Sequence, residues 1–212
     1  MGDGLGILKS RRANLMGKKA RLLILECTSE PKERMSEGRL LWELMRILGF
    51  ERSARIREIK SRNSFLGELE ETVEPYLHIS AHGDFDPTKG TWIDIRCRGK
   101  VYSSDLRGLW QNKRRSKIPR LVVLSACETG HVDMVRAFSD AGCQYCVAPL
   151  HETLWEDAAV FSTMFYKLLI GEGRSPWISF KKTTFGISHA LPRLSGAWSF
   201  YKWGEKIFLD KS

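Results

Sequence analysis

A histidine and a cysteine each stand at the end of an apolar segment, and together these residue types can carry out nucleophilic chemistry. His82 ends the segment YLHISAH (76–82) and is followed by Gly83, whereas Cys127 ends RLVVLSAC (120–127). Both segments have the length and apolar content of strands buried in a sheet. Ligand-binding and catalytic residues commonly lie beyond the carboxyl ends of parallel strands. Both residues therefore occupy positions typical of a functional site.

The pair predicts a cysteine nucleophile served by a histidine base. If the two strands are neighbours, their ends lie about 5 Å apart across the sheet. Thiolate is the nucleophilic form of cysteine, and a nearby imidazole can take the thiol proton and later protonate the leaving amine. Gly83 lets the chain approach a substrate closely, and its N–H and that of Cys127 are candidate donors to an oxyanion.

A purely structural interpretation of the same residues stays open at this point. Histidine and cysteine are both common at strand ends, so His82 would be a structural residue and Cys127 a small buried one. His78 lies about 13 Å from His82 along an extended chain and is interpreted as structural. His131 follows the E-T-G turn, where an exposed loop histidine is the favoured interpretation and a residue bordering the predicted site is the alternative.

Segments typical of strands and helices alternate along the rest of the chain. Two segments, 91–97 and 100–104, predict a β-hairpin that projects from the main sheet. Further strands are predicted at 21–27, at 54–60 on a sheet edge, at 144–150 and at 198–204. Such alternation predicts an α/β sandwich with mostly parallel strands, among which the apolar segment 120–127 is central.

Three helix starts are marked by residues that can cap the first backbone N–H groups. Ser36 and Ser175 each precede a helical pattern, and Pro176 is favoured in a first turn. Thr153 and Glu156 match a capping box for the long helix that follows the strand at 144–150.

Length and composition fit one globular domain. The 212 residues, 42% hydrophobic and 28% charged, can bury a sizeable core, which we place at 21–212 after a basic tail at 1–20. No segment approaches about 18 consecutive apolar residues, and the N-terminus lacks the apolar centre of a secretory signal. We therefore expect a cytoplasmic protein without a membrane span.

The cysteines and the basic residues also have plain structural explanations. The five cysteines are an odd number and lie mostly in predicted strands, so no disulfides are expected. Cys143 and Cys146 form a C-x-x-C without a second ligand pair, so we expect neither a metal site nor a cofactor.

The net charge of +9 is concentrated before residue 21 and at 111–117. A basic nucleic-acid-binding module is an alternative, but no aromatic residues interleave these runs and nucleic acid is not the favoured partner.

Several motifs together resemble the CHAT domain, which belongs with separase, caspases and gingipains to the caspase-like cysteine peptidases. The motifs are LVVLSACETG, the upstream SAHG, RAFSDAGCQYCVAPL, a Ser-Pro helix start and a closing W-x-F-x-x-x-G. The resemblance covers about residues 20–208 and is strongest at SACETG.

This resemblance implies a caspase-like α/β/α sandwich and a cysteine endopeptidase that cleaves a protein substrate. It implies a catalytic dyad of His82 and Cys127, with the Gly83 N–H in the oxyanion hole. Family members often carry sensor modules such as tetratricopeptide repeats; none is found here, so a separate activator protein or ligand is expected. Small peptidases of bacterial defence loci, some of which activate gasdermin-like pore-formers, are one model for an antiviral or cell-death role. A non-catalytic binding or adaptor module on the same fold is the alternative.

The segment after the strand at 144–150 supplies the candidate substrate pocket. Arginine-cleaving relatives such as separase carry an acid there, in a segment resembling L-W-D-V-T-D, whereas P-L-H-E-T-L-W (149–155) places Leu154 and Trp155 near that position. The other candidate pocket residues are His151, Glu152 and Asp157. An apolar floor favours burial of apolar surface, by about 25 cal/mol per Å², and disfavours an unpaired cation. We therefore predict an apolar side chain on the amino side of the cut.

Overall fold

Ten strands form two sheets in a computed structural model that describes residues 21–28, 36–96 and 98–209. Numbered along the chain, they are β1 Leu22–Glu26, β2 Ala54–Glu58, β3 Tyr76–Ser80, β4 His82–Asp86, β5 Gly90–Asp94, β6 Lys100–Tyr102, β7 Leu121–Ser125, β8 Tyr145–Pro149, β9 Trp198–Lys202 and β10 Glu205–Ile207. The basic tail predicted at 1–20 lies outside the described residues, as does Cys97.

The larger sheet has seven strands in the order β10-β9-β8-β7-β3-β1-β2. The five strands from β8 to β2 in this order are parallel, and β9 and β10 are antiparallel to their neighbours. Every residue of β1, β3 and β7 is buried, as expected of continuous apolar strands covered on both faces. The central place predicted for β7 and the edge place predicted for β2 are both confirmed.

Helices cover both faces of this sheet. They are α1 Glu37–Ile47, α2 Arg62–Glu71, α3 Val132–Asp140, α4 Trp155–Tyr166, which continues as a π-helical turn at Lys167–Gly171, and α5 Pro176–Ala190. On one face, α1, α4 and α5 pack against alternate strand residues such as Leu22 and Ile24. On the other face, α2 and α3 pack against Leu23 and Leu25. The predicted α/β/α sandwich with a mostly parallel sheet is confirmed.

None of the helices within the described residues is both long and apolar enough to cross a membrane.

The second sheet is a small antiparallel meander of β4, β5 and β6. Its β5 and β6 are the predicted hairpin, to which β4 adds a third strand. The prediction of one strand across 76–82 is wrong, because β3 ends at Ser80 and His82 begins β4. The sequence HGDFD of β4 is too polar for the buried sheet, so the chain leaves that sheet after Ala81 and pairs with β5 instead.

Two of the three predicted helix caps are present. The Ser36 and Ser175 hydroxyls accept hydrogen bonds from the Arg39 and Ile178 N–H groups. The capping box at Thr153 and Glu156 is wrong: α4 begins one residue later, with Leu154 at the cap position and no side-chain cap. The Thr153 hydroxyl donates instead to the His151 carbonyl oxygen at 3.2 Å, which removes it from the helix end.

Asp133, in the first turn of α3, ties the small sheet to the main body. One carboxylate oxygen accepts from the Thr91 N–H and from the Ser103 hydroxyl, both at 2.8 Å, and the other accepts from the Thr91 hydroxyl at 2.6 Å. Gly90 makes room for this contact, since a Cβ there would lie 2.5 Å from the Asp133 oxygen and its φ is +87°. Burial would raise the pKa of Asp133, but the hydrogen bonds from Thr91 and Ser103 lower it below its usual value.

Asp133→Ala is expected to lower the free energy of unfolding by about 3 kcal/mol at pH 7, because three hydrogen bonds to a carboxylate are lost. The matched change Asp140→Ala, at an exposed position of the same helix, should alter it by less than about 0.5 kcal/mol. Urea unfolding measures both. Since the folded-state pKa of Asp133 is depressed, its contribution is full above the unfolded pKa of about 3.9 and is lost as the pH falls through the folded pKa. Equal stability of native protein and Asp133→Ala at pH 7 would contradict this role.

Candidate active site

The carboxyl ends of β3 and β7, two central strands, lie side by side at the carboxyl-terminal end of the main sheet. Ser80 pairs with Ser125 in parallel register, and the Ala81 N–H donates to the Ser125 carbonyl oxygen at 3.1 Å. Both chains leave the sheet here, and His82 and Cys127 each follow two residues later. The two strands are therefore neighbours, which is the condition on which the predicted pair depended.

His82 and Cys127 line the same cavity, of about 70 Å³, which we call the Cys127 cavity. Trp155 and Trp198 also line it. His82 is exposed and Cys127 is half-buried, so a solvent-borne molecule reaches both side chains. The arrangement therefore places a thiol and an imidazole beside one recess.

The Cys127 sulfur is held by the loop that joins β8 to α4. The Thr153 N–H donates to Sγ at 3.4 Å, and the thiol donates to the Thr153 carbonyl oxygen at 3.6 Å. Sequence reasoning missed this contact. The contact joins the sulfur to backbone atoms of a residue 26 positions away. No pattern of side chains in the sequence predicts such a contact.

Gly83 lies against the turn that carries Cys127. A Cβ at Gly83 would lie 2.7 Å from the Cys127 carbonyl oxygen and 3.0 Å from both Ala126 Cβ and Thr129 Cγ2. The turn itself is tight: Glu128 has a φ of +57°, and the Thr129 hydroxyl donates to the Ala126 carbonyl oxygen at 2.6 Å. Only glycine lets β4 pass this close to the turn.

A buried polar group lies behind the Cys127 cavity, with Glu37 at its centre. Its Oε1 accepts from the Ser162 hydroxyl at 2.6 Å and lies 3.5 Å from His78 Nε2, while His78 Nδ1 is 3.3 Å from the Tyr166 hydroxyl. Burial would raise the pKa of Glu37, but His78, by charge and hydrogen bonding, and nearby serine hydroxyls lower it. Glu37 is itself a lining residue of the Cys127 cavity.

Sequence reasoning interpreted His78 as structural and did not find Glu37. The only signal was an acid directly after the Ser36 cap, which is ordinary in the first turn of a helix.

The five predicted pocket residues separate into two cavities. Trp155 lines the Cys127 cavity, whereas His151, Glu152, Leu154 and Asp157 line a second one of about 330 Å³, which we call the Arg193 cavity. Thr153 lines both.

Leu154 does not floor the cavity beside the cysteine. Leu154 is 62% exposed and lines the Arg193 cavity, so the expectation that it floors the pocket is wrong. Trp155, the other apolar residue named for that floor, does line the Cys127 cavity. Asp157 is buried and accepts two hydrogen bonds from Arg193, at 2.6 and 3.3 Å, so its charge is already paired. Leu154 and Asp157 both line the Arg193 cavity and neither lines the Cys127 cavity.

The other three described cysteines and His131 do not line the Cys127 cavity. Burial raises the pKa of the Cys143 thiol to about 12, and it raises those of Cys27 and Cys146 well above their usual value. No group of three or more His, Cys, Asp and Glu side chains within 21–28, 36–96 and 98–209 could hold a metal ion. His131 is half-buried and stacks on Phe85, with ring centroids 4.4 Å apart.

Comparison with known families identifies the fold and the family. The family model of the CHAT domain matches residues 13–178, which is most of the chain. This chain belongs to the CHAT domain family. The CHAT chain is also similar to the crystal structure of the Drosophila initiator caspase Dronc, with a TM-score of 0.54 and 9% identity over 89% of this chain and 84% of that one. At this identity the likeness shows a shared caspase fold. A comparison with curated protein sequences found no match.

Gly83→Ala is expected to displace the Cys127 turn of the CHAT domain, because the added Cβ has no room beside the Cys127 carbonyl. Alkylation of Cys127 by a peptidyl electrophile should slow by about tenfold or more, while the far-ultraviolet circular dichroism is retained. Gly67→Ala is the control, since a Cβ at that helical position meets nothing within 4 Å and should leave labelling unchanged. Equal labelling rates in the two variants would contradict the close approach.

Proposed function

We propose that this CHAT domain is a cysteine endopeptidase in which Cys127 is the nucleophile and His82 the general base. The observation that supports it is the shared cavity: both residues follow adjacent strands and line one recess with a half-buried thiol and an exposed imidazole. Membership of the caspase-like fold is the second support.

In the proposed first half-reaction, His82 takes the thiol proton and the Cys127 sulfur attacks the carbonyl carbon of the scissile peptide. Sγ–C bond formation places a negative charge on the carbonyl oxygen. The Gly83 and Cys127 N–H groups are the proposed donors to this oxyanion, each contributing about 3–4 kcal/mol of transition-state stabilisation. Collapse of the intermediate breaks the C–N bond, and His82 returns its proton to the leaving amine.

In the second half-reaction, water hydrolyses the resulting thioester. His82 removes a proton from the water as its oxygen bonds to the acyl carbon. The C–S bond then breaks, the acid product leaves, and the proton returns to the sulfur. No metal or cofactor is required by this sequence of steps.

We further propose that a separate activator protein or ligand controls the enzyme. The Thr153 backbone contacts the Cys127 sulfur through its N–H and its carbonyl oxygen, so the loop at 150–154 must shift before the sulfur attacks a carbonyl.

The substrate is proposed to be a cytoplasmic protein. Resemblance to peptidases of bacterial defence loci suggests a gasdermin-like pore-former as the first candidate.

Cys127→Ala is expected to abolish proteolysis, and His82→Ala to reduce it by about 100-fold or more, because base catalysis is lost. Both residues lie outside the buried strands, so both variants should fold. His189→Ala, at an exposed position of α5, is the matched control and should retain full activity.

The measurement compares new protein N-termini in a proteome treated with native protein or with Cys127→Ala. Cleavage by purified Cys127→Ala would refute the nucleophile. Salt-sensitive nucleic-acid binding without any labelling of Cys127 would favour a basic nucleic-acid-binding module instead.

A further inference from the structure

Two chain segments meet at the amino-terminal end of the main sheet, away from the Cys127 cavity. One is the basic loop at 107–120, which leads into β7, and the other is the two-residue turn between β9 and β10. The Arg115 guanidinium lies over the Trp203 ring of this turn, 5.1 Å from the ring centroid. The five residues of β7, about 17 Å long, separate this end of the sheet from Cys127. A ligand bound here would therefore leave the Cys127 cavity open.

The cations at this end of the sheet are not neutralised by carboxylates. Five of them are exposed, four in the loop and one on α3: Arg114, Arg115, Lys117, Arg120 and Arg136. Among the described residues, none of these five forms an ion pair, whereas surface arginines such as Arg39, Arg62 and Arg174 do. Two acids border the group, Asp140 and Glu205, and neither lies within ion-pair distance of it. The positive charge is therefore available to an anionic ligand.

Trp203 has a backbone conformation that bulky residues rarely adopt. Its φ is +53° and that of Gly204 is +79°, so the pair forms a hairpin turn of the kind that favours asparagine followed by glycine. The residue is 43% exposed. Gly204 lies against α3, where an added Cβ would be 3.7 Å from Arg136 Cγ. The turn thus holds a partly open aromatic ring among cations. We call Trp203 and the five cations the Trp203 surface.

The start of β8 holds the two segments of the Trp203 surface together. The Trp203 N–H donates to the Gln144 carbonyl oxygen at 3.0 Å, and the Arg120 Nε–H donates to the Gln144 side-chain oxygen at 3.1 Å. The Arg120 guanidinium also lies over the Tyr145 ring, 5.5 Å from its centroid. The basic run at 111–117 contains no aromatic residue, which in the sequence disfavours nucleic acid. The fold supplies the missing aromatic ring from a distant segment.

We infer that the Trp203 surface binds single-stranded nucleic acid. Its cations contact the phosphates, and the exposed part of the Trp203 ring stacks on a base. A duplex keeps its base faces covered, and an acidic peptide has no bases to stack, so a single strand is the ligand that uses both features. This inference goes beyond the proposed peptidase function and does not depend on it, because the two sites lie at opposite ends of the sheet.

The test measures fluorescence anisotropy as the full chain is added to labelled oligouridine or oligodeoxythymidine of about 12 nucleotides. We expect at least one strand to bind, and log K to fall with log salt with a slope of about −2 or steeper between about 50 and 200 mM, as for three or more phosphate contacts. Binding of either strand supports the inference, and the tighter strand identifies RNA or DNA as the source. Binding of neither would overturn it. Displacement of the strand by polyglutamate as readily as by unlabelled strand would also overturn it, in favour of an acidic protein.

A tryptophan pair tests the stacking. Trp203→Ala keeps every cation, so the affinity should fall by about fivefold or more while the salt slope stays the same. Trp92→Ala is the matched control, because Trp92 carries the Lys100 amine 3.5 Å from its ring centroid, on the small sheet. It should leave the affinity unchanged. Equal losses in the two variants would contradict stacking at this surface.

A charge pair tests the phosphate contacts. Arg115→Gln combined with Lys117→Gln should weaken binding and make the salt slope shallower by about 1.4, since two phosphate contacts are lost. Lys181→Gln with Lys182→Gln removes the same charge from an exposed face of α5 and should change neither quantity. Thermal unfolding shows whether each variant is folded, and the charge pair decides the inference if Trp203→Ala does not fold. Native affinity in the variant that lacks Arg115 and Lys117 would place the binding elsewhere and overturn the inference.

Discussion

The site depends on the register between two parallel strands. Because Ser80 pairs with Ser125, the chains after β3 and β7 leave the sheet at the same level. A shift of one residue in this register would turn every side chain of one strand to the opposite face. The buried residues of both strands prevent such a shift, since all ten of them are enclosed by the two helical layers. The hydrophobic core thus sets the relative positions of His82 and Cys127.

Beyond the strand ends, polar contacts rather than the hydrophobic core fix the relative positions of the chain segments. Asp133 joins the helix that follows the Cys127 turn to the small sheet that begins with His82. Gly83 lets that sheet lie against the turn at contact distance. His82 and Cys127 therefore belong to two units. The Asp133 carboxylate joins these units, and the lack of a side chain at Gly83 lets them pack closely. Such contacts are directional, so they fix orientation as well as distance.

Sequence reasoning succeeded where local pattern decides the structure. The runs LLILE and LVVLS are apolar enough to be buried on both faces, and the serine caps of α1 and α5 are read from neighbouring residues. It failed where distant residues decide. Thr153 matches a capping box, yet its backbone N–H donates to the Cys127 sulfur and α4 starts one residue later. Leu154 and Asp157 line the Arg193 cavity instead of the Cys127 cavity. Glu37 was missed for the same reason, since its partners His78 and Ser162 lie on other elements.

The burial of the cysteines has a consequence for how the protein meets oxidants. Peroxide attacks thiols that are accessible and that form thiolate readily, and it forms a sulfenic acid that reductants reverse. Cys27, Cys143 and Cys146 are buried and have raised pKa values, whereas the Cys127 sulfur lies in an open recess. Among the described cysteines, oxidation therefore falls on the residue proposed to do the chemistry and spares those that pack the core. Oxidative stress would therefore modify this accessible thiol reversibly before it damaged the fold.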